Sequence, residues 1–247
     1  MLPVNVEPVA LAILAKAPVP GFAKTRLMPE LGAHGAAALQ ECLTERAVET
    51  ACAAAIGPVT LWCAPDSTHV SFRDLAARFA LTLATQPDTD LGNRMLAAIA
   101  AAKGPVIVIG ADCPALTAGH LRAAADALRD HDAVLIPVED GGYVLIGLRA
   151  ARDQAEWNPV SRPDHAPNQK ARARSDAKPV PTFADRALVE PRLFSDMKWS
   201  TPEVMAETRR RLAQLGLTWK ELPRLWDVDV PADLDRLRAA GLMEMFG

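Results

Sequence analysis

The chain has 247 residues, 50% hydrophobic and 23% charged, enough for one domain with a large core that needs no disulfide or structural metal to fold. Its 27 basic and 30 acidic residues leave a net charge of −3, which excludes a nucleic-acid binder resting on a strongly basic surface and also a disordered polyanion. Six Phe, five Trp and one Tyr are too few for a single-strand stacking platform, whereas the 20 prolines are conspicuous.

In chain order, Val9–Ala15, bounded by Pro8 and Pro18, predicts a buried strand. Residues 33–55 predict a long helix with Leu39, Leu43 and Ala47 on one face, followed by a strand over Val59–Cys63, a short helix over Asp74–Phe79 and a strand over Leu81–Thr85. Leu91–Ala102 is helical, and Pro105–Gly110 is an apolar, β-branched run of buried-strand type. Thr117 caps a helix reaching Arg129, a strand spans Ala133–Val138, and Tyr143–Leu148 is close enough to pair with it. Thr201 and Pro202 read as the N-cap and first position of a helix to Leu215. A strand around Thr218–Leu222 and a helix over Pro231–Ala240 close the chain. Strands alternating with helices of this length predict an α/β three-layer sandwich with a mostly parallel sheet, in a single domain over residues 1–247. Residues 150–192 break the pattern: Pro159, Pro163, Pro167, Pro179, Pro181 and Pro191 flank a basic centre, which reads as a long insertion.

Cys42, Cys52, Cys63 and Cys113 form no C-x-x-C pair and read as small buried hydrophobes of a reducing compartment. The first residues lack a basic targeting region and the first apolar run is too short to span a membrane, so the expectation is a soluble cytoplasmic protein without nucleic-acid or membrane partners. Oligomeric state leaves no mark in the sequence.

Four motifs carry chemistry. The first strand runs into a loop holding Lys16, Pro18, Gly21, Lys24, Thr25 and Arg26. Pro18 and Ala23 occupy the glycine positions of a P-loop, so that reading fails, but three cations on a proline-stiffened loop at the carboxyl end of a strand suit a diphosphate or triphosphate. The plainer alternative is a surface loop with solvated cations. Gly110-Ala-Asp112-Cys-Pro114 follows a buried strand. Its aspartate can reach Mg²⁺ or Mn²⁺ at the sheet edge, and Thr117 already supplies the cap that Asp112 would otherwise be. Asp140-Gly141-Gly142-Tyr143 allows close backbone approach to a ligand and is equally a hairpin turn. In Trp226-Asp227-Val-Asp229-Val-Pro231-Ala-Asp233, Asp227 and Asp229 face opposite ways along extended backbone, so one can turn toward a metal, while Asp229 and Asp233 can also cap the last helix.

These motifs, with Trp199-Ser-Thr201, resemble an uncharacterised bacterial family of GT-A-type glycosyltransferase-like proteins. It is associated with radical-SAM and arsenosugar gene neighbourhoods and is similar in turn to molybdenum-cofactor and phospholactate guanylyltransferases. The resemblance runs from Val9 to Leu237 outside the insertion and implies the nucleotide-diphospho-sugar transferase fold. By position it implies that Lys16, Lys24, Thr25 and Arg26 lie in the nucleotide-binding loop. Asp112 matches the metal-binding aspartate, with Asp227 or Asp229 as second ligand because Gly110 replaces the first acidic position of D-x-D. Gln86, with Leu91, Gly92 and Arg94, lines the base side or orders the loop below it, and Asp140 to Tyr143 and Trp199 approach the sugar or acceptor.

The activity expected first is transfer of a sugar from a nucleotide-diphospho-sugar to a small acceptor, with Mg²⁺ or Mn²⁺ bridging the diphosphate, Lys24 and Arg26 adding fixed charge, and Asp140 as base in an inverting reaction. The alternative is a nucleotidyltransferase joining an NTP to a phosphorylated metabolite with release of pyrophosphate. A further alternative is a non-catalytic nucleotide-binding protein.

Overall fold

A computed structural model describes residues 7–149 and 189–242. Its elements are β1 (Ala10–Lys16), a 3₁₀ turn (Thr25–Leu27), α1 (Met28–Ala54), β2 (Val59–Ala64), α2 (Val70–Phe79), β3 (Thr82–Thr85), α3 (Leu91–Ala101), β4 (Val106–Gly110), α4 (Ala118–Ala127), β5 (Ala133–Pro137), β6 (Tyr143–Leu148), α5 (Val189–Phe194), α6 (Val204–Gln214), β7 (Trp219–Glu221) and α7 (Pro231–Ala239). The insertion expected at 150–192 lies almost wholly outside the described residues.

The strands form one sheet in the order β3-β2-β1-β4-β6-β5-β7, parallel except for β6, which pairs antiparallel with both β4 and β5. β1 sits between β2 and β4, so the chain leaves it in one direction and returns to its other side. The crevice at such a reversal, at the carboxyl ends of the strands, is where open α/β sheets take ligands.

Alternation along each strand sends side chains to two apolar layers. Leu11, Ile13, Leu61, Ile107 and Ile109 pack on one face with residues of α1, α2 and α4. Ala12, Trp62, Val106 and Val108 pack on the other with α3, α5 and α6. Covered on both faces, β4 reads as a continuous apolar run rather than an alternating one. A third cluster joins Leu27, Leu39 and Leu43 to Val228, Leu234 and Leu237, and pins the C-terminal segment onto α1 beside the sheet's carboxyl edge.

The expected elements are present; α5, which starts within the expected insertion, is an unforeseen addition, and three helix starts differ. α1 begins at Met28, but Gly32 leaves helical geometry (φ 67°, ψ 171°), so regular helix starts where the sequence places it, at Ala33. α2 starts at Val70 rather than at Asp74, because the His69 ring accepts the Ser71 N–H as an unusual cap. α6 starts at Val204, not after Thr201: the Thr201 hydroxyl donates back to the Lys198 carbonyl (2.8 Å) and leaves no cap for the turn ahead. Thr117 caps α4 as expected. No described helix is long and apolar enough to cross a membrane.

Candidate functional site

The loop after β1 is held from both ends. The Ala17 N–H donates to Ala64 O (2.7 Å), and Ala17, Ala23 and Leu27 are buried. Between these anchors Lys24 adopts left-handed backbone (φ 47°, ψ 44°), a conformation that costs a non-glycine residue about 1 kcal/mol and persists where surrounding structure imposes it. The turn sends the ammonium inward. The Lys24 side chain is only 6% exposed, donates to the Val228 carbonyl (2.7 Å) and pairs with the Asp112 carboxylate. Arg26 remains exposed and pairs with Asp229. Two cations from the loop after β1 thus meet two carboxylates from the ends of β4 and of the segment before α7.

These groups border a cavity of about 290 Å³, which Lys16, Thr25, Gln86, Leu91 and Arg94 also line. Gln86 is buried, and its Nε2 donates to Ala15 O (3.0 Å) and Trp62 O (2.8 Å), tying together the ends of β1 and β2. Two carbonyls take up the amide nitrogen, which leaves its oxygen without a protein donor among the described residues. Arg94 Nε is held by Thr89 O (2.9 Å). Pro18 and Gly21 shape the loop and do not line the cavity.

Asp227 and Asp229 diverge as extended backbone requires. Asp229 goes to Arg26, its N–H donating to the Asp233 carboxylate (2.8 Å) that also caps α7 through the Val230 N–H (2.8 Å). Asp227 turns the other way, and its carboxyl is pushed up to about 6, first by burial and then by the neighbouring Asp140 and Asp112 carboxylates. The Val228 N–H donates to Asp112 O (2.9 Å), which holds the two aspartate-bearing segments side by side.

Among the described residues, no three carboxylate, imidazole or thiolate groups are placed to hold a metal by themselves. A Mg²⁺ site does not require that, since one or two carboxylates with substrate phosphate oxygens are the usual donor set. Asp112 and Asp227 fit it: two hard-oxygen donors in one field, the Asp227 carboxyl raised by burial and then by its like-charged neighbours. Asp229 pairs with Arg26 as Asp112 pairs with Lys24.

The other candidates are packed more tightly. Gly141 (φ +91°) lies so close to Pro202 that a Cβ there would fall 2.1 Å from its carbonyl oxygen, and the Gly141 carbonyl accepts the Met205 N–H (2.8 Å). The Gly142 N–H donates to Asp140 Oδ1 (3.0 Å), closing the hairpin turn between β5 and β6. The Tyr143 hydroxyl is buried near Thr208, its pKa raised by that burial, and Trp199 stacks on Phe194 (25° between rings) against Gly92. Neither aromatic lines the cavity. The cysteines are unpaired, and burial pushes the Cys63 and Cys113 thiols up to about 12, leaving them inert as nucleophiles.

Three contributors are invisible to motif reasoning. Gln40, buried on α1, lines the cavity floor. Phe22 stands exposed at its edge. Arg236 of α7 forms a bidentate pair with Glu139 (2.8 and 3.0 Å) and lies 4.7 Å over the Trp226 ring, bracing the two residues that precede Asp140 and Asp227.

Residues 47–161 match the model of a family described as an uncharacterised protein conserved in bacteria (DUF2064). No curated protein sequence matches the chain. Among solved structures, it is similar to a protein of Desulfovibrio desulfuricans G20 provisionally assigned as a nucleotide-diphospho-sugar transferase, with 22% identity, 94% of this chain and 87% of that one covered, and a TM-score of 0.70. It is also similar to a nucleotidyl transferase from Methanothermobacter, with 12% identity, 96% and 99% covered, and a TM-score of 0.60. A third is the 4-diphosphocytidyl-2C-methyl-D-erythritol synthase of Anaerococcus prevotii, with 12% identity, 94% and 98% covered, and a TM-score of 0.53. The fold is therefore the α/β sandwich of the nucleotide-diphospho-sugar transferases and nucleotidyltransferases, as the motifs led one to expect.

Proposed function

We propose that this protein is a divalent-metal-dependent transferase acting on an activated nucleotide, and that it moves the sugar of a nucleotide-diphospho-sugar to a small acceptor. The observation that carries the reading is the convergence of Lys24 and Arg26 with Asp112 and Asp229 on one cavity at the sheet reversal, which Gln86 also lines. Fold alone does not give function; this constellation of groups supports it.

In this reading Lys24 and Arg26 exchange their carboxylate partners for phosphate oxygens when the nucleotide enters, Lys24 as a nearly dehydrated point charge and Arg26 through its planar fork. Asp112 and Asp227 would hold Mg²⁺ or Mn²⁺, which when bound would offset the negative charge that develops on the departing diphosphate. Gln86 accepts a base N–H. Asp140, oriented by the Gly142 N–H, takes the proton of the acceptor hydroxyl. The packing of Gly141, Tyr143 and Trp199 supports a role in holding Asp140 rather than in touching the acceptor. A cytoplasmic location and the kinship with guanylyltransferases and arsenosugar-associated transferases belong to the same proposal.

Nucleotidyl transfer with release of pyrophosphate is the second reading, and one observation favours it. Gly110 leaves a single acidic residue at the exit of β4, as in nucleotidyltransferases rather than D-x-D glycosyltransferases. Mass spectrometry of reactions with Mn²⁺ separates the two. Release of a nucleoside diphosphate from UDP-, GDP- or CDP-sugars carries the first; pyrophosphate from NTPs alone defeats it.

A further inference from the structure

Four large hydrophobic side chains are exposed among the described residues: Phe22 (66%), Val70 (64%), Leu91 (43%) and Val230 (42%). Single exposed apolar residues are ordinary on a protein surface. Two of these four, however, line the same cavity from distant segments, Phe22 from the loop after β1 and Leu91 from the first position of α3. Neither is accounted for by packing. Ala23, the next residue to Phe22, is completely buried, and the Phe22 and Ala23 N–H groups both donate to Val19 O (3.0 and 3.1 Å). The backbone is therefore fixed with Ala23 locked into the core and Phe22 left in solvent. Gly21 at φ +85° makes the turn that does this, and a Cβ at Gly21 would meet nothing, so the left-handed backbone rather than crowding calls for glycine.

The cavity lining thus combines cations, Lys16, Arg26 and Arg94, with two exposed apolar side chains, Phe22 and Leu91. A ligand that satisfies both carries a polyanion and a flat, weakly hydrated ring within one nucleotide's length. We infer that Phe22 and Leu91 clasp the face of the nucleobase, Phe22 by stacking, while the Gln86 oxygen reads its edge. This rests on the nucleotide reading above and assigns it a part that no motif supplied. Stacking is tolerant of base identity because every base has a π face. Phe22 accordingly supplies affinity common to all nucleotides, and Gln86 supplies discrimination between them.

The test is isothermal titration, in Mg²⁺, of GDP, CDP, UDP and inorganic pyrophosphate into wild type, Phe22→Ala, Phe22→Trp and Leu91→Ala. Phe22→Ala weakens each nucleoside diphosphate that binds by about tenfold. Pyrophosphate binding does not change, Phe22→Trp retains wild-type affinity, and Leu91→Ala loses about threefold. Unchanged nucleotide affinity in Phe22→Ala overturns the assignment, including the case in which the apolar pair serves the acceptor. An equal loss for pyrophosphate overturns it as well, because Phe22 then orders the loop and does not touch the base. A wild type that binds pyrophosphate but no nucleotide overturns the nucleotide reading itself, and with it this assignment.

Discussion

The loop after β1 and the hairpin joining β5 to β6 lie at the same edge of the sheet, and both bring glycine and charge to it. In the loop, Gly21 has open space around it, Lys24 is turned inward on strained backbone, and the polar groups of Lys24 and Arg26 end at a cavity. In the hairpin, Gly141 is pressed against Pro202, Tyr143 is taken up by the core beside Thr208, and only Asp140 keeps an exposed carboxylate. The lesson is that a motif's residues divide between those whose polar atoms are consumed by packing and those left facing a ligand. The loop is mostly of the second kind and the hairpin mostly of the first.

Substitutions can break this contrast. The largest effect is expected at Asp112, where loss of one preorganised electrostatic contact raises a barrier by about 3 kcal/mol. Asp112→Asn therefore lowers turnover about a hundredfold while circular dichroism and Tm stay near wild type; near-normal turnover removes the metal role. Next come the glycines. Gly141→Ala, strained and clashing, should destabilise by about 2–3 kcal/mol, or roughly 4–12 °C in Tm, whereas Gly21→Ala meets only backbone strain of about 1 kcal/mol. Equal losses at the two positions contradict the contrast.

A third test uses the opposite end of the sheet. Burial opposes ionisation of Asp132, but hydrogen bonds from the Thr218 N–H (3.0 Å) and hydroxyl (2.8 Å) and from Arg149 (2.6 Å) outweigh it and hold the carboxyl below its usual range. A depressed folded pKa gives stability that is complete above the unfolded value, near pH 4, and is lost as pH falls through the folded one. Asp132→Asn should cost about 1 kcal/mol at pH 7 in denaturant melts, and the difference should begin to narrow only below about pH 4 and close as pH falls through the folded pKa, with nucleotide affinity untouched. The smallest effect belongs to Arg236→Ala, where the pair with Glu139 is exposed and screened by solvent, so Tm should scarcely move. If bracing of Trp226 and Glu139 matters, metal-dependent nucleotide binding falls more than Tm does.

Much of this arrangement was legible in the sequence. Apolar runs such as Val106–Ile109 identify central strands because only a strand covered on both faces can bury every residue. Lys24, Arg26 and Asp112 announce themselves by charge directly after such runs, where solvent or a ligand must be. The opposite facing of Asp227 and Asp229 follows from extended backbone. What was not legible depends on tertiary partners: His69 as a cap, Pro202 packed on Gly141 instead of starting a helix, Trp199 packed against Gly92, and the pairing of Lys24 with Asp112 across the switch point. Nor could the sequence show that Phe22 stays in solvent, since that depends on Ala23 being the residue drawn into the core.

The central claim is that the cavity beside Lys24 and Asp112 takes a nucleotide together with a divalent cation. Thermal denaturation with a panel of nucleotide sugars and NTPs, with and without Mn²⁺, tests it most directly in wild type and Asp112→Asn. A nucleotide at a hundred times its dissociation constant stabilises by about 2.7 kcal/mol, which raises Tm by roughly 5–10 °C. The account predicts such a rise for at least one nucleotide, dependent on Mn²⁺ and lost in Asp112→Asn. No rise with any nucleotide, or one indifferent to metal and to Asp112, would contradict it.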